Sequence, residues 1–228
     1  MHSIPRTAAF LSCLIFLAVF SASPALSAQE SIFFGSYEQD NDLTNGTEPI
    51  QWRILDVQDT RVLLLSEKAL DCRKYNGKYN NRTFYENADI RAWLNETFYT
   101  SAFSAEEQEK ILLSTLQNPR KKSYASKGGN DTEDLVFLLS FQEVENYLPE
   151  KSDRVCEATP YCLSLGVRTK KTAACPWWLR TPGREQHHAA CVTLDGGYYD
   201  FFDITCPTNG IRPALWVSPS VLSSHEAD

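Results

Sequence analysis

The residues with the most chemical character lie together between Gly183 and Gly210 (GREQHHAACVTLDGGYYDFFDITCPTNG). Arg184, His187, His188, Tyr198, Tyr199, Phe201 and Phe202 stand there beside Asp195, Asp200 and Asp203. Rings that carry a polar tip give large contact area at low entropic cost, which suits recognition. On a strand, successive side chains face opposite ways, so Tyr198 and Tyr199 cannot both point inward. The same rule sends His187 and His188 to opposite faces and keeps them from sharing a metal as i, i+4 histidines on a helix do. No metal ligand set is therefore assigned, and no catalytic residue is either. G-x-S-x-G, P-loop and G-x-G-x-x-G motifs are absent from the sequence. Asp40-Asn41-Asp42-Leu43-Thr44-Asn45-Gly46 has its glycine one place late for a calcium loop, with Gln51 where a bidentate Glu belongs. Asn130-Asp131-Thr132-Glu133-Asp134 holds enough oxygens for calcium, although Asp131 or Thr132 capping a turn explains it as well. No other cofactor is expected.

Six cysteines, Cys72, Cys156, Cys162, Cys175, Cys191 and Cys206, follow the N-terminal segment, five of them beyond residue 150. Arg6 precedes an apolar run from Ala8 to Phe20, and Ser23-Pro24-Ala25-Leu26-Ser27-Ala28 supplies breakers and small residues. This is the pattern of an export signal over residues 1–28, too short for a membrane span of ~20 residues. An even cysteine count in an exported chain implies disulfides, with the pairing left open. The spacings Cys156-x5-Cys162 and Cys175-x15-Cys191 do not fit structural zinc pairs. The expected location is secreted or at the cell envelope, with no transmembrane segment once the signal is removed. The 228 residues carry a net charge of −7, which disfavours non-specific nucleic-acid binding.

The elements that must hold these residues are mixed. Ile50–Val57 and Arg61–Ser66 read as a hairpin, with Trp52 and Ile54 facing a core and, after a change of side, Leu55 and Val57. Asn87–Phe98 places Ile90, Trp93, Leu94 and Phe98 on one helical stripe, capped by Asn87. Ser104-Ala105-Glu106-Glu107 opens a helix expected to carry Ile111 and Leu112, and Ser140-Phe141-Gln142-Glu143 opens another that stops at Pro149. Leu135–Leu139 reads as a buried strand, and Arg120–Asn130 as a polar, mobile loop. Short aromatic strands follow at 177–179, 190–194, 198–202 and 211–217. The expectation is one α+β domain over residues 29–228, of short twisted antiparallel strands with two or three helices.

An ordered series of motifs carries a resemblance. It runs through Phe34-Gly35-Ser36-Tyr37, Pro49-Ile50-Gln51-Trp52-Arg53, Leu63-Leu64-Leu65-Ser66-Glu67, Ile90-Arg91-Ala92-Trp93-Leu94, Val136–Ser140, Trp177-Trp178-Leu179-Arg180-Thr181-Pro182-Gly183, Asp195-Gly196-Gly197 and Ile211-Arg212-Pro213-Ala214-Leu215-Trp216. Over about residues 32–218 the chain resembles the bacterial domain of unknown function 6273, common in exported and cell-surface proteins. More distantly, its closing motifs are similar to formylglycine-generating-enzyme-like and C-type-lectin-like folds. The resemblance implies a scaffold that presents a changeable face between fixed flanks; the extra cysteines, which would staple it, are where this chain departs from the familiar members. Two functions follow as expectations. The first is a non-catalytic recognition module for a surface protein or glycan, using the 183–210 face. The second is a thiol-dependent oxidase built on Cys175, Cys191 and Cys206, since soft thiolates select copper(I).

Overall fold

In a computed structural model, which describes residues 31–79 and 81–223, the chain forms one mostly-β body of two curled five-stranded sheets with a few short helices. The export signal expected over residues 1–28 lies outside the described residues. Along the chain come β1 (Ser31–Tyr37), β2 (Glu48–Gln58), β3 (Arg61–Ser66), β4 (Asp71–Cys72), α1 (Asp89–Trp93), α2 (Tyr99–Ala102), α3 (Ala105–Gln108), β5 (Ile111–Leu112), β6 (Ser114–Leu116) and β7 (Thr132–Asp134). Then follow α4 (Phe141–Tyr147), α5 (Lys151–Arg154), β8 (Cys156–Glu157), α6 (Pro160–Ser164), β9 (Ala174–Cys175), β10 (Trp177–Pro182), β11 (His188–Val192), β12 (Tyr198–Asp203), β13 (Gly210–Ile211), β14 (Ala214–Val217) and α7 (Ser220–Ser223). The first sheet has the order β1-β2-β3-β14-β5, the second β12-β11-β10-β13-β4. Only β10 and β13 pair in parallel within these sheets; the other neighbours are antiparallel. No helix among the described residues is long and apolar enough to cross a membrane.

The sequence motifs explain how the sheets join. Ile211 ends the second sheet, Pro213 cannot continue its ladder, and Ala214-Leu215-Trp216-Val217 opens in the first sheet beside β3. Arg212 plugs this seam with no exposure, its Nε–H donating to the Ser66 carbonyl at 2.8 Å and its guanidinium 5.1 Å from the Trp177 ring centre. Trp52, Trp177 and Trp178 are fully buried, and each indole N–H reaches a backbone carbonyl, those of Phe34, Arg154 and Arg73 respectively. A buried indole without such an acceptor would keep an unsatisfied donor.

Several local expectations hold. The β2–β3 hairpin turns at Asp59–Thr60, and the Ser104 and Ser140 capping boxes both close. A register shift in β2 at Ile54–Asp56 gives the change of side, but it leaves Leu55 half-buried and Val57 exposed rather than in the core. The helix at 89–102 contains a wider π-turn at Leu94–Phe98. Asn87 does not cap it: its side chain accepts from the Phe84 N–H within the preceding turn, and Ala88 is the cap residue. Ile111 and Leu112 leave the helix and pair with Val217 and Trp216 of β14. Val136–Leu139 is fully buried but forms only a bridge, Phe137 to Ala214.

The expected disulfides are not present. Among the described residues no two sulfurs are at bonding distance, and Cys72, Cys156, Cys162, Cys175, Cys191 and Cys206 are free thiols. Five of them are buried as small core residues, and the S–H groups of Cys72, Cys156 and Cys162 find backbone acceptors. Cys162 donates to the Asp71 carbonyl at 3.2 Å and Cys72 to that of Pro207 at 3.0 Å, while Cys156 and Cys175 face each other as register partners of β8 and β9. Burial pushes the Cys72 thiol up to about 12 and raises Cys162 and Cys191 as well. Cys206 alone is half-buried. A maleimide added to the folded protein is therefore expected to label Cys206 first and the other five only on unfolding; mass spectrometry of timed samples reads the order.

Candidate functional site

The second sheet ends in β12 as an edge strand, so one side of it has no partner strand. Its pleat sorts the aromatic residues. Tyr199 and Phe201 point outward and are 44% and 42% exposed. Tyr198 points back, its ring 4.5 Å from that of Phe141 and 4.7 Å from the Arg154 guanidinium. Phe202 stands edge-on to the buried Trp178 at 5.8 Å. Strand alternation thus separates a displayed pair from an anchoring pair.

The displayed rings belong to a continuous ribbon. Tyr79 lies against His187 at 5.2 Å, His187 against His188 at 4.0 Å, and His188 against Phe201 at 5.8 Å. Phe201 then meets Tyr199 at 5.9 Å, and Tyr199 meets Phe202 at 5.0 Å. The Arg184 guanidinium stacks over Phe201 at 4.6 Å and approaches Asp200 at 3.5 Å. Arg184, His187, His188, Tyr199 and Phe201 therefore share one face, which Tyr198 and Phe202 support from the anchoring side, Phe202 touching Tyr199 at the ribbon's end.

At one end the ribbon forms the wall of an open cleft of about 640 Å³, lined by Tyr199, Phe201 and Phe202 with Arg168, Lys170, Thr193, Leu194 and Asp195. This volume is within the range of small-ligand sites. Asp195 sits in the β11–β12 turn, where the Thr193 hydroxyl and the Gly197 N–H hold its carboxyl below the ordinary range. Gly196 occupies φ +77°, and a Cβ there would run into the Lys151 carbonyl oxygen. Gly196→Ala is expected to lower stability by about 1–3 kcal/mol through backbone strain and overlap. A chemical denaturation curve would read this as a lower midpoint with an unchanged slope.

Asp203 closes the far end of β12. Burial works against its charge, but the Thr205 hydroxyl and N–H and the two imidazoles outweigh that and keep its carboxyl low. Asp200 bonds the Tyr124 hydroxyl, which burial and this carboxylate push upward. Tyr124 belongs to the segment expected to be mobile, which is instead fastened to the site. The Ser126 N–H donates to the Arg184 carbonyl and its hydroxyl to that of Gly183, and the Lys127 N–H donates to the Gln186 side chain.

The expected separation of His187 and His188 is corrected. β11 begins at His188, and His187 lies in the turn before it, so pleat alternation does not apply across the pair. The His188 N–H donates to the Glu185 carbonyl at 3.0 Å, which brings residues 185 and 188 together. Glu185, His187 and His188 each bring a ligating atom within 4.8 Å of the others. The calcium reading of 130–134 finds its last carboxylate already engaged: Asp134 is unexposed, pairs with Arg91 at 2.6 Å and accepts from Thr132 and Asn95. Glu38, Asp40 and Glu48 also cluster, but each already accepts backbone N–H groups of the 39–42 turn.

Sequence reasoning missed Arg168, Lys170, Thr193 and Leu194 as cleft residues, and Tyr79 as the end of the ribbon. Arg168 and Lys170 lie about thirty residues before β12 in an irregular loop, and no local pattern links them to it.

These features define the class: a mostly-β, two-sheet protein with an aromatic edge strand over an open, charged cleft. The chain belongs to the family described as "Domain of unknown function (DUF6273)", whose sequence profile matches residues 59–219. The match takes in the whole second sheet and leaves β1 and β2 outside. No curated protein and no solved structure matches the chain.

Proposed function

We propose that the protein is an exported, non-catalytic binding module whose ligand is an acidic glycan held in the cleft beside β12. The single observation that carries this is the cleft itself: the rings of Tyr199, Phe201 and Phe202 facing Arg168 and Lys170. Ring faces accept the apolar C–H faces of sugars, and two cations at the rim favour a carboxylate or sulfate on the same ligand. A fixed aromatic pair with few rotatable bonds loses little entropy on binding. Export rests on the residue 1–28 pattern. A C-type-lectin-like or formylglycine-generating-enzyme-like fold belongs to the same reading, supported by the order of the Trp177-Trp178, Asp195-Gly196 and Arg212–Trp216 motifs.

The competing oxidase reading has less support. Cys175 and Cys191 have no exposure, and their thiols are pushed up, away from the reactive thiolate. A protein ligand adding a strand along β12 remains the alternative occupant. Affinity electrophoresis through gels containing neutral or uronate-bearing polysaccharides tests the proposal. Retardation in an acidic polysaccharide, reversed by salt, is expected. Equal migration in all gels would overturn it.

A further inference from the structure

We propose that Glu185, His187 and His188 form a binding site for a late first-row divalent metal of the Zn²⁺ class, with further coordination positions open. The donor set is two imidazoles and one carboxylate, which such ions prefer over the all-oxygen sets of calcium and magnesium. The ligating atoms are already within 4.8 Å of one another, and His187 Nε2 is 3.7 Å from Glu185 Oε2. Closing to metal bonds of about 2.0–2.2 Å needs only small side-chain rotations. Ring stacking alone does not account for His188: its Nδ1 is buried and has no hydrogen-bond partner, the state of a donor atom awaiting an acceptor or a metal.

The backbone under the site is fixed on both sides. The Gln186 side chain donates to the Thr83 carbonyl at 2.7 Å and accepts from Lys127, and the His187 carbonyl accepts from the Ile204 N–H at 3.1 Å. The His188 carbonyl accepts from Gly183 at 2.8 Å, where a Cβ would collide with both His188 and Asp200. A turn held at each residue presents its ligands with little ordering cost. The electrostatics favour a cation: the carboxylates of Glu185, Asp203 and Asp200 all act on His188. Entry is open, since the Glu185 side chain is 62% exposed and borders a second cleft of about 520 Å³. The site stands independently of what the neighbouring cleft holds.

The test is titration of the full chain with ZnCl₂ by calorimetry and with CoCl₂ by visible absorption. One equivalent is expected to bind. His187→Ala and His188→Ala should each weaken binding by ~100-fold or more, and Glu185→Gln by ~10-fold. Thermal unfolding of each variant without metal establishes that it folds, and the exposed Glu185→Gln serves as the variant least able to disturb the fold. Undiminished zinc affinity in the His187→Ala/His188→Ala double variant, a cobalt–thiolate charge-transfer band, or no binding by folded wild-type protein would each overturn the proposal.

Discussion

Replacing Arg180 with alanine is expected to cost about 3–5 kcal/mol of stability. Arg180 is 4% exposed, its guanidinium forks onto both oxygens of Glu143, and it also donates to the Leu138 carbonyl at 2.9 Å. It thereby ties β10 to the N-terminus of α4 and to the buried 136–139 segment. Truncation leaves an apolar-lined gap, an unpaired carbonyl and a Glu143 whose remaining partners are those of the capping box. Glu143 is partly exposed, so water recovers some of the loss and the effect belongs near the lower bound. At about 2–4 °C per kcal/mol for a domain of this size, the melting temperature should fall by roughly 10 °C. Arg180→Lys should restore only part of this, because an ammonium cannot make the forked pair. A variant melting within ~2 °C of wild type would refute this account of the core.

The second large effect concerns binding. Tyr199→Ala/Phe201→Ala is expected to weaken glycan capture by ~100-fold or more, from ~1.5–2 kcal/mol per displayed ring. Both rings are more than two-fifths exposed, so stability should change by no more than about 1 kcal/mol. Tyr198→Ala and Phe202→Ala should behave differently. Their rings pack on Phe141 and Trp178, and each substitution should cost about 2–3 kcal/mol in stability. A variant set that separates in this way distinguishes displayed rings from anchoring rings; calorimetric titration and thermal melts together read it.

What the sequence made legible was whatever depends on near neighbours. The S-x-x-E capping boxes at Ser104 and Ser140 close within four residues, and the β2–β3 hairpin needs only alternation and a short turn. The aromatic cluster at 198–202 was visible by composition, and its split into faces follows from the pleat. Longer-range pairing was not legible. Ile111 and Leu112 look helical after Ser104, yet β14, over a hundred residues later, draws them into a sheet. The two histidines were misread because their geometry depends on where β11 begins, a one-residue matter that periodicity does not fix. The polar 120–130 segment looked mobile because its partners, Gly183 to Gln186, lie some sixty residues away. The cysteines gave the right count for crosslinks, but their sulfurs lie among core side chains and backbone carbonyls without bonding one another.

The central claim is that Tyr199 and Phe201 form a ligand-holding surface facing two cations. Its most direct measurement is the affinity of the wild type and of Tyr199→Ala/Phe201→Ala for one soluble uronate-bearing polysaccharide, by calorimetry at low and at raised salt. The account predicts measurable wild-type affinity that falls with salt and is lost in the double variant, with the fold intact. Equal affinity in both proteins, or none in the wild type, would contradict it.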